Sequence, residues 1–346
     1  MINGLAAGEQ ETPDMAVFGT EFTAHMVSSE YRDGQWSGLA VVPVEPIALH
    51  PATHVLHYAS ECFEGLKAYR AQEQTIHMFR PDRHVERMIN SAAQLLLPIP
   101  DRETLTRSLH MAVAAVVDDI PAYPGALYLR PTLFGTEADI GAAARPAQSA
   151  LYYVLTSPVG DYFAGGLQPL RVKVDDKAMR STPAFGAVKT GGNYAAAMRQ
   201  VVRAREELGA DQVLFAPNGD VQETGAANFM LIENGELLTK PLDGSILPGV
   251  TRDSILALAA DAGLKISERD FTVAELLERA PSGEAALTGT AAVLTPVGTL
   301  LYDGREITVG DGQMGPWSAR LREQLCAIQS GAAEDPHGWR VPLQAG

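Results

Sequence analysis

Three short stretches of this sequence carry groups that could act together on one small molecule. "FGAVKTGGNYAAAM" (185–198) sets Lys189 between a small apolar run and two glycines, with a helical pattern behind it. Lysine is scarce in the chain, occurring only at Lys67, Lys173, Lys177, Lys189, Lys240 and Lys265. "SILPGVTRDS" (245–254) puts Gly249, Val250 and Thr251 at a helix start. Unpaired N–H groups and the helix dipole make such a place an anion site suited to phosphate. "VQETGAANF" (221–229) puts Glu223 beside the small, tightly turning Thr224-Gly225-Ala226. An amine, a phosphate cradle and a carboxylate among small residues are what pyridoxal 5'-phosphate requires. Its aldehyde condenses with a lysine, its phosphate needs an anchor, and its ring nitrogen needs a carboxylate to stay protonated. Taken alone, Lys189 reads as a solvated lysine at a strand end; the other two stretches shift the balance.

Other chemistries are poorly served. Val188 stands where a Walker A loop needs glycine, and no GxGxxG, GxSxG or HExxH pattern is present. "HPATHVLHY" (50–58) supplies His50, His54 and His57, but Pro51 breaks the helix that metal spacing would need and no carboxylate completes the set, so no metal is expected. Cys62 reads as a small buried residue, not a nucleophile.

The elements that must position these groups alternate in type. "HMVSSEY" and "QWSGLAVVPV" predict short strands about a glycine turn. Residues 82–97 predict a helix with Val85, Met88, Ile89, Ala92 and Leu96 on one stripe and Asp82 as its cap. Residues 101–119 repeat the pattern through Leu105, Leu109, Val113 and Val116. "ALYLRPTLFG" and "ALYYVLTSPV" read as strands. Asn218-Gly219 and Asn234-Gly235 each predict a hairpin, and helices are expected after Lys189 and from Thr251 to a stop at Gly263. Strands adjoining strands, with helices between, indicate an α+β architecture.

At 346 residues two domains are expected. The breaker-rich "SPVGDYFAGGLQP" divides a smaller N-terminal α+β domain (1–157) from a larger C-terminal domain holding Lys189 (170–346), with 158–169 as the linker. A net charge of −15 argues against nucleic acid and anionic membrane as partners. Two cysteines give no disulfide framework. The first twenty residues show no secretion pattern, and "MAVAAVV" (111–117), the longest apolar run, is far short of a membrane span. A soluble, cytoplasmic protein is the expectation.

"HYASECFEGLKAYR" (57–70), "FRPDRHVERM" (79–88), "LYLRPTLFGTE" (127–137), "SPVGDYF" (157–163), "KTGGNYAAA" (189–197), "DGSILPGVTRDS" (243–254) and "TGTAAVLTPV" (288–297), in this order, resemble the branched-chain amino-acid aminotransferases, which are fold-type IV pyridoxal-phosphate enzymes. The resemblance runs from about Phe18 to Gln329. It implies a smaller α+β domain, a larger barrel-like domain, and a homodimer with active sites near the subunit interface. By matched position it implies that Lys189 binds the cofactor's aldehyde, Glu223 partners the pyridine nitrogen and Tyr194 the ring hydroxyl. Arg87 would grip phosphate with the amides of Val250 and Thr251 and with Thr290. The turn Thr290-Ala291 would receive the substrate α-carboxylate, with Tyr58 contributed by the neighbouring subunit. Phe18, Phe63, Tyr128, Tyr162, Ala226 and the Ile140–Ala142 loop would line the side-chain pocket, and Arg130 with Tyr128 would meet the distal carboxylate of glutamate.

Read without the resemblance, Arg87 could be a solvated helix residue and Tyr128 and Tyr162 ordinary strand packing. Glu64 and Lys67 read as a structural pair. The chain departs from the family at Ala292 and Thr295, where vertebrate members carry a redox pair of cysteines. It departs again at "TGAAN", which replaces a bulkier Thr-Met pair, and at Ala142, where valine is common. The implied reaction is ping-pong transfer of an amino group between leucine, isoleucine or valine and 2-oxoglutarate. A D-amino-acid or (R)-amine transaminase, and a phosphate- or nucleotide-binding module with a solvated Lys189, are the alternatives. Lys189→Ala should abolish transamination while leaving the circular-dichroism spectrum and melting temperature of the parent; turnover above a trace in the variant would exclude Lys189 from the chemistry.

Overall fold

The computed structural model describes residues 19–71, 74–143, 145–160 and 166–344. Two sheets dominate them. The first is built from β1 (His25–Arg32), β2 (Gln35–Trp36), β3 (Ala40–Pro43), β4 (Glu61–Phe63), β5 (Leu66–Arg70), β6 (Ile76–Phe79), β7 (Ala126–Gly135) and β8 (Ala150–Val159). The second holds β9 (Leu170–Asp175), β10 (Gln212–Phe215), β11 (Asn228–Glu233), β12 (Glu236–Thr239), β13 (Lys265–Glu268), β14 (Glu284–Gly289), β15 (Val293–Tyr302) and β16 (Arg305–Thr308). A last strand, β17 (Arg340–Pro342), returns to the first sheet, whose main path runs β17-β6-β5-β7-β8-β1-β2. The second runs β10-β9-β15-β14-β11-β12-β13 and mixes parallel with antiparallel pairs. The α+β expectation is met.

The first sheet buries one face under two of the predicted helices. The helices in chain order are α1 (His54–Tyr58), α2 (Pro81–Gln94), α3 (Arg102–Ala115), α4 (Gly191–Leu208), α5 (Val250–Asp261), α6 (Val273–Arg279) and α7 (Pro316–Ser330). Val85, Met88 and Ala92 of α2 pack with Leu105, Leu109 and Val113 of α3 on Leu127, Leu129 and Leu133 of β7. In the second sheet the alternation along β11 separates two cores. Met230 and Ile232 join Ile255, Leu258 and Leu321 of the helical layer, while Phe229 and Leu231 join Val172, Leu238, Val273 and Leu276 on the other face. Such two-sided burial explains why the interior of β11, Phe229 to Ile232, is apolar on both faces between its polar ends Asn228 and Glu233. Tyr128, Phe79 and Trp339, all from the first sheet's side, lie in the former cluster and seal the seam between the sheets.

Local chemistry sets several boundaries. Asn234 and Gly235, at φ 49° and 76°, close the β11–β12 hairpin as a two-residue loop, and Asp33-Gly34 does the same between β1 and β2. The carboxylate of Asp101 accepts from the Thr104 amide at 2.7 Å and starts α3. Three expectations fail. The cap of α2 is Arg80, in the left-handed region ahead of Pro81, so Asp82 lies inside the first turn, where its charge favours the dipole instead of capping. At the other end α2 stops at Gln94; Leu96 turns left-handed at φ 53° and is 63 % exposed, and Leu97 enters the core in its place. Asn218-Gly219 makes a turn but no two-residue hairpin. Pro217 offers no N–H to a ladder, and Asp220 bridges to Thr272, so pairing across the turn is confined to an isolated bridge between Leu214 and Thr224 and the bonds of Phe215 with Gln222 and Glu223.

Among the described residues no helix is long and apolar enough to cross a membrane. The three histidines of "HPATHVLHY" go to separate local partners: His50 Nδ1 accepts from the Ala52 amide, His54 Nδ1 meets Ser60 Oγ, and His57 Nε2 meets the Pro51 carbonyl. The corrected end of α2 predicts opposite effects for two residues of the expected stripe. Met88→Ala should cost about 2–5 kcal/mol, whereas Leu96→Gly should be neutral or stabilising, because it relieves a left-handed residue and uncovers little. Urea midpoints check this, and an equal loss in both would restore Leu96 to the core.

Candidate active site

A cavity of about 520 Å³ opens along the seam between the sheets. Lys189 enters it from the residue before the helix cap Thr190, whose hydroxyl faces the Gly192 amide at the start of α4. Both sides of its backbone are tied to the first sheet's layer. The Lys189 amide donates to Ser91 Oγ at 3.0 Å, and its carbonyl accepts from the Phe63 amide at 3.0 Å. One turn into α4, Tyr194 lies under the lysine, and Nζ donates to its hydroxyl at 2.8 Å. The same ammonium sits 5.0 Å from the Phe63 ring centroid, so the amine is oriented by an aromatic floor and one oxygen.

Glu223 lies on the second sheet's side and is almost wholly buried. Its Oε1 forms an ion pair with Arg180 Nη1 at 2.8 Å and accepts from the Leu247 amide at 2.9 Å, and its Oε2 accepts from Asn228 Nδ2 at 2.7 Å. Burial pushes its carboxyl up to about 7, against the pull of the Arg180 guanidinium. Asn228 also donates to the Leu247 carbonyl, which pins the segment "SILPG" against the carboxylate. Gly249 must be glycine there, because a Cβ would sit 2.0 Å from Asn228 Oδ1. Helix α5 begins at that glycine with no side-chain cap, leaving the first amides, at Val250 and Thr251, directed at the cavity's edge.

Arg87 stands beside this helix start, buried at 5 % exposure. It grips Glu64 twice, Nε to Oε1 at 2.7 Å and Nη2 to Oε2 at 2.8 Å, while Nη1 donates to the Pro248 carbonyl at 2.9 Å. Nη1 keeps a second N–H for an anion at the α5 terminus. His84 Nδ1 adds a 2.6 Å contact to Glu64. Burial alone would push the Glu64 carboxyl up, but Arg87 and His84 hold it well below the usual carboxylate range. At the opposite wall Arg130 stacks over Phe63, 4.6 Å from its centroid, and donates to the Tyr128 hydroxyl at 3.0 Å. A Cβ at Gly65 would lie 2.0 Å from that hydroxyl, so the tyrosine is seated by an absent side chain. Thr290, Ala291 and Ala292 close the far end.

The residues fit pyridoxal 5'-phosphate. Three cavity-lining residues keep a buried polar atom without a hydrogen-bond partner, Arg130 Nε, Arg180 Nε and Thr288 Oγ1, as a site shaped for a polar guest does. The profile of the Amino-transferase class IV family matches residues 61–300. The branched-chain-amino-acid aminotransferase of Mycolicibacterium smegmatis is 40% identical over 340 residues, covering 94% of this chain and 92% of its own. The chain belongs to the class IV aminotransferases, in the branched-chain-amino-acid group. The same fold recurs in the T.th. branched-chain amino acid aminotransferase solved with pyridoxamine 5'-phosphate, at a TM-score of 0.78 and 27% identity, covering 94% of this chain and 100% of that one. That enzyme was also solved with N-(5'-phosphopyridoxyl)-L-glutamate, at a TM-score of 0.76 and 27% identity over the same shares.

Within this aminotransferase, Phe63, Arg87, Tyr128, Arg130, Lys189, Tyr194, Glu223, Ala226, Val250, Thr251, Thr290 and Ala291 all line the same cavity. Tyr58 does not. It is half-buried and donates to the carbonyl of the exposed Ile140, while Ala142 of the same loop is buried, and none of the three is part of that lining. Phe18 and Tyr162 lie outside the described residues. Glu64 and Lys67 are not each other's partners as expected: Glu64 serves Arg87 and His84, and Lys67 Nζ donates to the Ala291 carbonyl at 3.0 Å. Arg180, Asn228 and Ser91 escaped the sequence reading. Arg180 had one usable signal, since a buried carboxylate such as Glu223 needs a cation, but nothing in its spacing says which arginine supplies it. In cofactor-free protein, difference infrared spectroscopy against Glu223→Gln should show the Glu223 carboxyl titrating near 7. Arg180→Met should move that midpoint higher, since the largest opposing charge is gone; an unmoved midpoint would mean another cation holds the charge.

Proposed function

We propose that this chain holds pyridoxal 5'-phosphate and transfers the amino group between leucine, isoleucine or valine and 2-oxoglutarate, as a cytoplasmic homodimer with the domain division at 158–169. The observation that carries this reading is the Lys189 amine, 2.8 Å from Tyr194 in a cavity that also holds a buried carboxylate and a bare helix start. The relatives' shared name supports the substrate class. When bound, the cofactor supplies an electron sink for the charge left on the substrate's Cα.

This chain's residues would do the rest. Lys189 Nζ, free to swing from the Tyr194 hydroxyl, carries the proton on and off Cα. The amides of Val250 and Thr251, with Thr290 and the spare N–H of Arg87, hold phosphate, and the Arg87 charge reaches it already balanced by Glu64. Glu223 would meet the ring nitrogen, where a carboxylate favours the protonated ring. Tyr194 orients the ring hydroxyl. The Thr290-Ala291 turn receives the α-carboxylate, with Tyr58 of the neighbouring subunit closing over it.

One pocket must take both an aliphatic side chain and a carboxylate. Phe63 and Tyr128 supply apolar walls, and Arg130 lies flat on them at half burial with Nε unpaired. Its charge is shared with two ring faces when leucine is bound and is available when glutamate enters. Arg130→Met should therefore slow the glutamate half-reaction by about ten- to hundredfold and the leucine half-reaction little. Separate half-reactions followed by the cofactor's absorbance decide it. Equal loss in a cofactor-loaded variant would assign the distal carboxylate to another residue.

A further inference from the structure

The loop Thr290-Ala291-Ala292 joins the paired residues Gly289 and Val293, and all three of its residues line the cavity. Three-residue hairpin loops close with a left-handed residue that is usually glycine. Here the left-handed φ falls one residue later, on Val293, the first residue of β15, at 61°. A β-branched side chain resists this region, so the conformation persists only if something outside the loop imposes it. Two cations from distant elements touch the loop's back. Lys67 Nζ, from β5 in the first sheet, donates to the Ala291 carbonyl at 3.0 Å. Arg322 Nη1, from α7, donates to the Ala292 carbonyl at 2.6 Å and to the Leu294 carbonyl at 3.0 Å.

A trans peptide points its N–H opposite its C=O, so fixing the Ala291 and Ala292 carbonyls sets the planes of the Ala292 and Val293 amides, and with them the loop in which the Thr290-Ala291 turn sits. A cation on the carbonyl also polarises the peptide and strengthens its N–H as a donor. Neither Lys67 nor Arg322 is among the residues lining the cavity, so both act through the loop. Resting on the function proposed above, we propose that Lys67 and Arg322 are positioning residues that clamp this strained loop with its cavity edge set to receive the substrate α-carboxylate. Lys67 does so across the seam, which makes carboxylate binding depend on how β5 sits against the second sheet.

The test compares ligands that carry the α-carboxylate with one that lacks it. In cofactor-loaded protein, Lys67→Met and Arg322→Met should each weaken 4-methylvaleric acid, read by calorimetry, by about ten- to hundredfold, with cofactor content unchanged. The leucine half-reaction should show the same rise in KM with a smaller change in kcat, and the half-reaction with isopentylamine should match the parent. Lys67→Arg and Arg322→Lys should recover most of the affinity. Unchanged affinity for the acid, or equal loss for leucine and isopentylamine, would overturn the clamp. If the methionine forms do not fold, Lys67→Gln and Arg322→Gln are judged on the same leucine-to-isopentylamine ratio. A parent protein that cannot exchange leucine with 2-oxoglutarate would instead overturn the proposed function.

Discussion

The Arg87 guanidinium bridges the two halves of this molecule. Its fork is filled by Glu64 at the foot of β5, and its remaining terminal nitrogen reaches the Pro248 carbonyl ahead of α5. Both charges are buried, and removing one partner of such a pair typically costs about 3–5 kcal/mol, because the other is left uncompensated. The pair therefore specifies where the start of α5 lies relative to the first sheet. That placement is what turns a bare helix terminus into one wall of a cavity. Glu64 in turn can stay charged in an apolar interior only because Arg87 and His84 share it, which outweighs the effect of burial.

The cavity inherits its chemistry from that seam. Lys189 is anchored through its backbone to Ser91 and Phe63, so only its side chain is free to move. Glu223 is anchored from the other side by Arg180, Asn228 and the Leu247 amide. Amine and carboxylate thus reach one cavity on different tethers, and α4, which follows Lys189, packs on β10 of the second sheet. Burial raises the pKa of the Glu223 carboxyl, and the Arg180 charge offsets only part of that.

Glycines at the site mark close approaches more than flexible turns. Gly249 has ordinary helix-cap dihedrals and is required by the nearness of Asn228 Oδ1. Gly65 is required by the Tyr128 hydroxyl, which in turn accepts from Arg130. The aromatic and cationic wall that would greet two kinds of substrate side chain is therefore set by a missing methyl group. The Val293 loop is the reverse case: a residue that does not suit its conformation is kept there by hydrogen bonds from Lys67 and Arg322.

Much of this was legible from sequence alone because it depends on neighbours along the chain. The Asn234-Gly235 hairpin, the alternation of strands and helices and the start of α5 at Gly249 each arise from local backbone preference. The grouping of Lys189, Glu223 and the Val250-Thr251 amides was also foreshadowed, since each sits in a short stretch whose chemistry is apparent by itself. Tertiary structure decided the rest. Glu64 chose Arg87 and His84 over the nearby Lys67, and Arg180 found Glu223, because buried charges pair with whatever the packing brings within reach. Leu96 left its stripe because Leu97 took its place in the core, and Asn218-Gly219 failed to seed a ladder because Asp220 pairs with Thr272 instead. Periodicity and turn residues describe a chain in isolation. Which side chains face one another across the seam depends on the joint packing of two sheets, and no local pattern encodes that distance.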